Sequence, residues 1–411
     1  MEYRVADGIA DNLSQVTEEL QIYRQRTGRE PLMLGGWEVE DRAIDPPALL
    51  LDRLTAIRPR PRHYTYGKDL YRAREQAAAV LGHGLRFDGV ALAPEQVAVL
   101  HNSSQGLLLA LTALRDAGVR RAVIAAPTYF ATVRICCHLG LDVTIVPAVD
   151  FFTGGLDTAR LVNAVKQGQS VLVLTNPAYS LGVEYAHQHV RELLAALPED
   201  AWALLDETRL GLHWQHDLPW YQGHLPPKTL VLRSPSKIFL LNGLKTSFLL
   251  GPVRLLRSIE KLSESLVGSL AGNAEEVALA YLDTWQTWLL EYESGHIGPL
   301  RAWKQALIER FRQHRDKANE LLGQHGFMLS PVDSGPYVLA GIERRYLPVL
   351  DSLAIARERG VLLMTSEYFY HHSSTWLGFR LNLCGDPWRT CEALERVLAS
   401  RREPFYAAMA R

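Results

Sequence analysis

Residues 170–175, Ser-Val-Leu-Val-Leu-Thr, and residues 121–126, Arg-Ala-Val-Ile-Ala-Ala, decide how this chain folds. Both are short runs that stay apolar along their length instead of alternating with polar residues. A strand with one wet face alternates; a strand covered on both faces does not. Val97–His101, Asp142–Pro147, Ala201–Asp206, Thr229–Arg233 and Ser247–Leu250 read the same way. Helical patterns over 104–116, 128–139, 157–167 and 187–197 fall between several of them. This alternation predicts an α/β fold with a mostly parallel seven-stranded sheet covered by helices.

Outside this block the patterns differ. Residues 11–28 carry Leu13, Val16, Leu20 and Ile22 among charges, as an amphipathic helix does. A Pro/Gly-rich stretch from Pro31 to Pro47 reads as an irregular crossing segment. Long helices are expected from about Arg257, with the charged stretch 291–320 linking two bodies. Strands recur near Tyr337–Gly341, Val361–Met364 and Gly378–Leu383. We expect a large domain over 46–294 and a smaller α/β domain built from 1–45 and 295–411.

The chain has 411 residues, 47% of them hydrophobic and 22% charged, which is ample for a packed core. Its formal net charge is −1, without the basic excess that a nucleic-acid binder uses to neutralise phosphates. No apolar run is long enough for a membrane span, and the first residues lack the pattern of a secretory signal. The four cysteines make no disulfide framework, and the scattered histidines have no metal-site spacing. A cytoplasmic protein without a bound metal is expected.

Open parallel sheets bind ligands beyond the carboxyl ends of their strands, so the residues that follow each apolar run carry the chemistry. His101-Asn-Ser-Ser-Gln-Gly106 leads into an apolar helix, a setting that suits a phosphate or ordinary N-capping by Ser103 or Ser104. Asp206-Glu207 ends another run, and a carboxylate there needs a partner, which a structural salt bridge would equally supply. Ser234-Pro235-Ser236-Lys237 follows a third, with Lys245 close behind; a partly desolvated lysine is a candidate imine-forming amine. A phosphate cradle, a carboxylate and a lysine are together what an electron-sink cofactor requires. Tyr129 follows a further strand, either to stack on a ring or as a core aromatic.

Along nearly its whole length the chain resembles the class I/II aminotransferases, which belong to fold type I of the pyridoxal 5′-phosphate (PLP) enzymes. Ser103-Ser104-Gln105 resembles the family's phosphate-binding turn, and Tyr129 its ring-stacking aromatic. Asn176-Pro-Ala-Tyr179-Ser-Leu-Gly182 is a degraded form of its Asn-Pro-x-Asn-Pro-Thr-Gly motif. Asp206 matches the partner of the pyridinium, and Lys237, within Ser-x-Ser-Lys, the Schiff-base lysine. Arg380 matches the arginine that grips the substrate α-carboxylate, and Gly36 the glycine whose backbone approaches the substrate. The resemblance implies a phosphate cup of Ser103, Ser104, Ser234, Ser236 and Lys245. It also implies a homodimer in which Tyr66, or its neighbour Tyr64, reaches the adjoining subunit's phosphate.

Three positions depart from the family pattern. Tyr179 stands where an Asn contacts the ring's O3′, Arg209 replaces a Tyr that shares this contact, and Lys245 replaces an arginine. The implied function is a PLP-dependent aminotransferase acting on an amino acid through an external aldimine and quinonoid. Arg209 faces either the O3′ oxygen, or the substrate or an ion-pair partner such as Glu207, which would leave Tyr179 as the only phenol donor there. The alternatives are a PLP-dependent lyase, cyclase or oxygen-dependent oxidase, or a non-catalytic binding protein on the same fold.

Overall fold

All seven apolar runs form strands of one sheet in the computed structural model. The structure describes residues 2–37, 39, 44–58, 62–87, 89–165, 169–215, 223–347 and 350–399, with side chains from residue 12 onward. The strands are β1 (Val97–Leu100), β2 (Arg121–Ala126), β3 (Asp142–Pro147), β4 (Ser170–Thr175), β5 (Trp202–Asp206), β6 (Thr229–Arg233) and β7 (Ser247–Leu250). Their order across the sheet is β1-β7-β6-β5-β4-β2-β3. Only β7 runs against its neighbours β1 and β6; β6-β5-β4-β2-β3 are parallel.

The reason for the unbroken apolar runs is visible in how successive residues divide. Val171 and Val173 of β4 enter one core cluster, while Leu172 and Leu174 enter the other. The same split holds for Ala122 and Ile124 against Val123 and Ala125 in β2. Both faces are dry, each fully buried Val or Leu contributing about 1.5–3 kcal/mol. The edge strand β3 is the most exposed of the seven, while β2 and β5 are partly exposed only at their first residues.

The parallel strands deliver their carboxyl ends to one side. On that side, helix α2 (Ser103–Asp116) follows β1, helix α3 (Phe130–His138) follows β2, and the short helix α4 (Pro235–Ile238) follows β6. Residues 166 and 167, the end of the expected 157–167 helix, lie outside the described residues.

The amino- and carboxyl-terminal segments meet. Leu32–Met33, within the expected irregular stretch, pairs in parallel with Val361–Leu362, because Leu32 and Leu34 have a core to enter. Tyr337–Glu343 and Trp376–Asn382 form an antiparallel pair. The first helix spans Glu2–Thr27, longer than the periodicity of 11–28 indicates. It packs on Ser352–Arg359 and α3, with Val16 and Leu20 in a cluster that holds Met364, Tyr368 and Phe369. The charged stretch 291–320 is mostly one helix, Pro299–Gly323. Among the described residues, no helix is long and apolar enough to cross a membrane.

Beneath the strand ends lies one buried ion pair. Glu207 Oε2 accepts hydrogen bonds from Arg233 Nε and Nη2 at 2.9 and 2.8 Å, with both residues about 1% exposed. Removing one partner strands the other charge in the core, which costs about 3–5 kcal/mol. Glu207→Leu is therefore expected to lose that much stability, measured by the urea midpoint. Glu207→Leu with Arg233→Met should recover part of it; strictly additive losses would contradict this pairing.

Candidate active site

A cavity of about 340 Å³ opens at the carboxyl ends of β1, β2, β5 and β6, within the size range of small-molecule sites. Its wall includes Ser103, Ser104, Tyr129, Tyr179, Asp206, Arg209, Ser234, Ser236, Lys237 and Lys245. Residues far apart in sequence thus converge because the sheet aligns its strand ends.

Local structure explains which residues face inward. The N-cap of α2 is Asn102, whose Oδ1 accepts from the Gln105 N–H at 2.9 Å. The capping role considered for Ser103 or Ser104 thus belongs to Asn102, and both serines border the cavity. Gln105 does not: its Oε1 accepts from the His101 N–H at 2.9 Å and its Nε2 points to Ser263. Gln105, expected at the cofactor, lies in the cap of α2 and outside the wall.

Asp206 closes β5, 5% exposed, and its Oδ1 accepts from the Thr208 N–H at 3.2 Å. Lys237 lies on α4 and donates from Nζ to Thr208 Oγ1 at 3.3 Å. The salt-bridge reading for this acidic pair falls on Glu207, which Arg233 occupies. Arg209 is accordingly not the partner of Glu207: its guanidinium lies over the Tyr337 ring, 4.5 Å from its centre. The hydroxyls of Ser234, Ser236 and Ser247 form a chain at 3.1 Å spacings, with Ser234 Oγ also donating to the Thr246 carbonyl at 2.9 Å.

The degraded motif is divided. Tyr179 is in the wall, its hydroxyl accepting from Trp37 Nε1 at 2.9 Å and its ring 5.6 Å from that of Tyr129. Asn176 is not in the wall; it is 1% exposed and its Oδ1 accepts from the Tyr185 N–H at 2.9 Å. Expected at the cofactor, it here braces the turn. Arg380 and Gly36 are also outside the wall, with Arg380 Nη2 donating to the Gly36 carbonyl at 3.2 Å. Tyr64 is exposed and Tyr66 caps the turn at Gly67–Asp69, so neither borders the cavity of its own chain.

Sequence reading missed Trp37, Asn102, Phe130, Thr208 and Asn242, which also line the cavity. Two of them carried a local signal, since Thr208 follows Asp206-Glu207 directly and Asn102 begins the polar run after β1. Tyr337, stacked by Arg209 and by Arg380, carried none.

Comparison with known proteins gives the family and the fold. The family described as aminotransferase class I and II matches residues 54–397. The chain belongs to that family. Among curated relatives it is 24% identical over 193 residues to a histidinol-phosphate aminotransferase of Pseudoalteromonas atlantica, covering 46% of this chain and 49% of the relative. It is 27% identical over 183 residues to a valine–pyruvate aminotransferase of Mycobacterium tuberculosis, covering 43% and 46%. The matches thus span about half the length of these relatives. The fold is shared with an aspartate aminotransferase double mutant of Thermus thermophilus, with TM-score 0.75 and 19% identity over 94% of this chain and 95% of that one. It is likewise shared with a probable N-succinyldiaminopimelate aminotransferase of the same organism, with TM-score 0.76 and 19% identity over 95% and 100%.

In this aminotransferase-family site, electrostatics set Lys237 apart. Burial, followed by the Arg209 guanidinium and Lys245, pushes its amine down to about 8, against the pull of Asp206. Roughly a tenth of it is therefore unprotonated, and nucleophilic, at pH 7, far more than for an ordinary lysine. Tyr179 moves the other way: burial raises its phenol to about 12, against Arg380 and Arg209, so it stays protonated.

In the cofactor-free protein, labelling of Lys237 by acetic anhydride, read peptide by peptide, should rise with pH around a midpoint near 8. Arg209→Ala removes a repelling cation and should shift that midpoint upward. A midpoint near the ordinary lysine value of 10.5 in the unmutated protein would contradict the electrostatic reading.

Proposed function

We propose that this protein is a PLP-dependent aminotransferase acting on an amino acid with a free α-carboxylate. The observation that carries the reading is the meeting of a nucleophilic Lys237 amine and the buried Asp206 carboxylate in one cavity. The donor set fits the cofactor by its chemistry. Four serine hydroxyls and Lys245 suit a phosphate, Asp206 suits a protonated ring nitrogen, and Tyr129 offers a flat face. When bound, PLP supplies an aldehyde for the lysine and an electron sink for the reacting carbon.

The protein's own groups then have separable roles. Lys237 Nζ is the nucleophile and, once released, the base that carries a proton to and from the substrate carbon. Thr208 Oγ1 orients that amine, and the Thr208 N–H orients the Asp206 carboxyl group. Tyr179 keeps its proton, so it would offer a bound cofactor a neutral group, and any cationic contact would fall to Arg209. Lys245 supplies charge to the phosphate as a point cation without the bidentate fork of an arginine. Arg380 is assigned to the α-carboxylate, with Gly36 beside it.

We also propose a homodimer. The exposed Tyr64 and the neighbouring Tyr66 lie away from their own chain's cavity, which suits a contact with the adjoining subunit.

The test is a half-reaction. With PLP bound, a reactive amino acid should change the cofactor's absorbance, and a keto acid should restore it. A protein that stays colourless with PLP removes the proposal; recovery of the spectrum without a keto acid would indicate elimination or oxidation instead. Asp206→Ala should lower kcat on the order of 10²–10³-fold, in the range seen for loss of a preorganised electrostatic group. Lys237→Ala should abolish turnover.

A further inference from the structure

Arg380 is assigned to the substrate carboxylate, yet its guanidinium is fully engaged by the protein itself. It is 0% exposed and does not border the cavity. Nε donates to the Gly35 carbonyl at 2.9 Å, and Nη2 donates to Gly35 and, at 3.2 Å, to the Gly36 carbonyl. Nη1 donates to Ser180 Oγ at 3.2 Å. The rings of Trp37, Tyr337 and Phe369 surround it at 5.0, 4.5 and 4.9 Å. A guanidinium grips a carboxylate through two N–H donors aimed at two oxygens. Here the oxygens are two consecutive peptide carbonyls, the neutral counterparts of a carboxylate.

The segment that supplies them is fixed on one side of Gly35-Gly36 and latched on the other. Upstream, Leu32–Met33 is paired with Val361–Leu362, and the Leu34 carbonyl accepts from the Asn382 N–H at 3.0 Å. Gly35 donates its N–H to the Leu362 carbonyl at 3.1 Å, and a Cβ there would lie 3.0 Å from Met364 N and 3.2 Å from the Arg380 carbonyl. Downstream, Trp37 is held by its Nε1 bond to Tyr179 at 2.9 Å and by Asn242 Nδ2, which donates to the Trp37 carbonyl at 3.1 Å. Gly36 between them has the backbone freedom to act as a hinge.

We propose that Gly35–Trp37 is a resident plug of the carboxylate site, with Trp37 as its latch. A carboxylate ligand enters by exchanging with the Gly35 and Gly36 carbonyls on Arg380, while Gly36-Trp37 swings off Tyr179 and Asn242. This rests on the assignment of Arg380 above. A buried cation with only neutral acceptors is incompletely compensated, so an anion has more to gain from the open form than from the closed one. Apparent affinity is then the intrinsic affinity reduced by the fraction of molecules already open. Trp37 and Asn242 are positioning residues that act through Arg380.

The test uses the PLP-bound protein and 3-phenylpropionate, a monocarboxylate without an amino group, with binding followed by calorimetry. Asn242→Ala and Trp37→Phe each remove one latch hydrogen bond, and each should tighten binding about fivefold, as expected for about 1 kcal/mol. Each should also lower KM for the amino donor more than it changes kcat. Unchanged or weaker binding in both variants overturns the plug and indicates a preformed site. If Arg380→Ala binds the probe as tightly as the unmutated protein, the assignment of Arg380 itself fails, and the plug with it.

Discussion

The site depends on one constraint, the burial of a lysine amine close to a guanidinium. Water would hold Lys237 protonated; removal of water and the repulsion of Arg209 and Lys245 do the opposite, while Asp206 limits the effect. The remaining structure serves this arrangement. The sheet brings the β5 and β6 ends side by side, since Leu232 pairs with Asp206 across the parallel ladder. The Glu207–Arg233 pair ties the residue after Asp206 to the residue just before Ser234. Asp206 is thereby left as the acidic side chain of the cavity wall.

This gives the site an unusual charge balance. Lys237, Lys245 and Arg209 line the cavity, and Arg380 stands behind it, against the one carboxylate of Asp206. Arg209 and Arg380 share the ring of Tyr337, each at 4.5 Å. A cation on an aromatic face gains only about 0.5–2 kcal/mol, less than an ion pair returns in the same surroundings. Such a cavity favours a ligand with several negative groups, as a phosphorylated cofactor and an α-carboxylate together provide.

Much of this was legible in the sequence, and the reason is geometric. In a parallel sheet every strand end falls on the same side, so finding the apolar runs also finds the positions that meet. Ser103, Asp206 and Lys237 needed no knowledge of tertiary contacts beyond that rule. Gln105 and Asn176 lie outside the wall because an amide beside an active site has two uses, and here both amides satisfy backbone N–H groups. Trp37 and Tyr337 were missed for a different reason. Their roles come from contacts between distant segments, such as Trp37 with Tyr179 and Arg380 with Tyr337, which no local pattern announces. The departures at Tyr179 and Arg209 were visible as letters, but only the structure shows Arg209 turned to Tyr337 and away from Glu207.

A single amine, that of Lys237, is proposed as the covalent attachment point. Reduction of the PLP-treated protein with borohydride, followed by peptide mapping, measures this directly. One pyridoxyl adduct is expected, located at Lys237. An adduct on another lysine, or none at all, would contradict it.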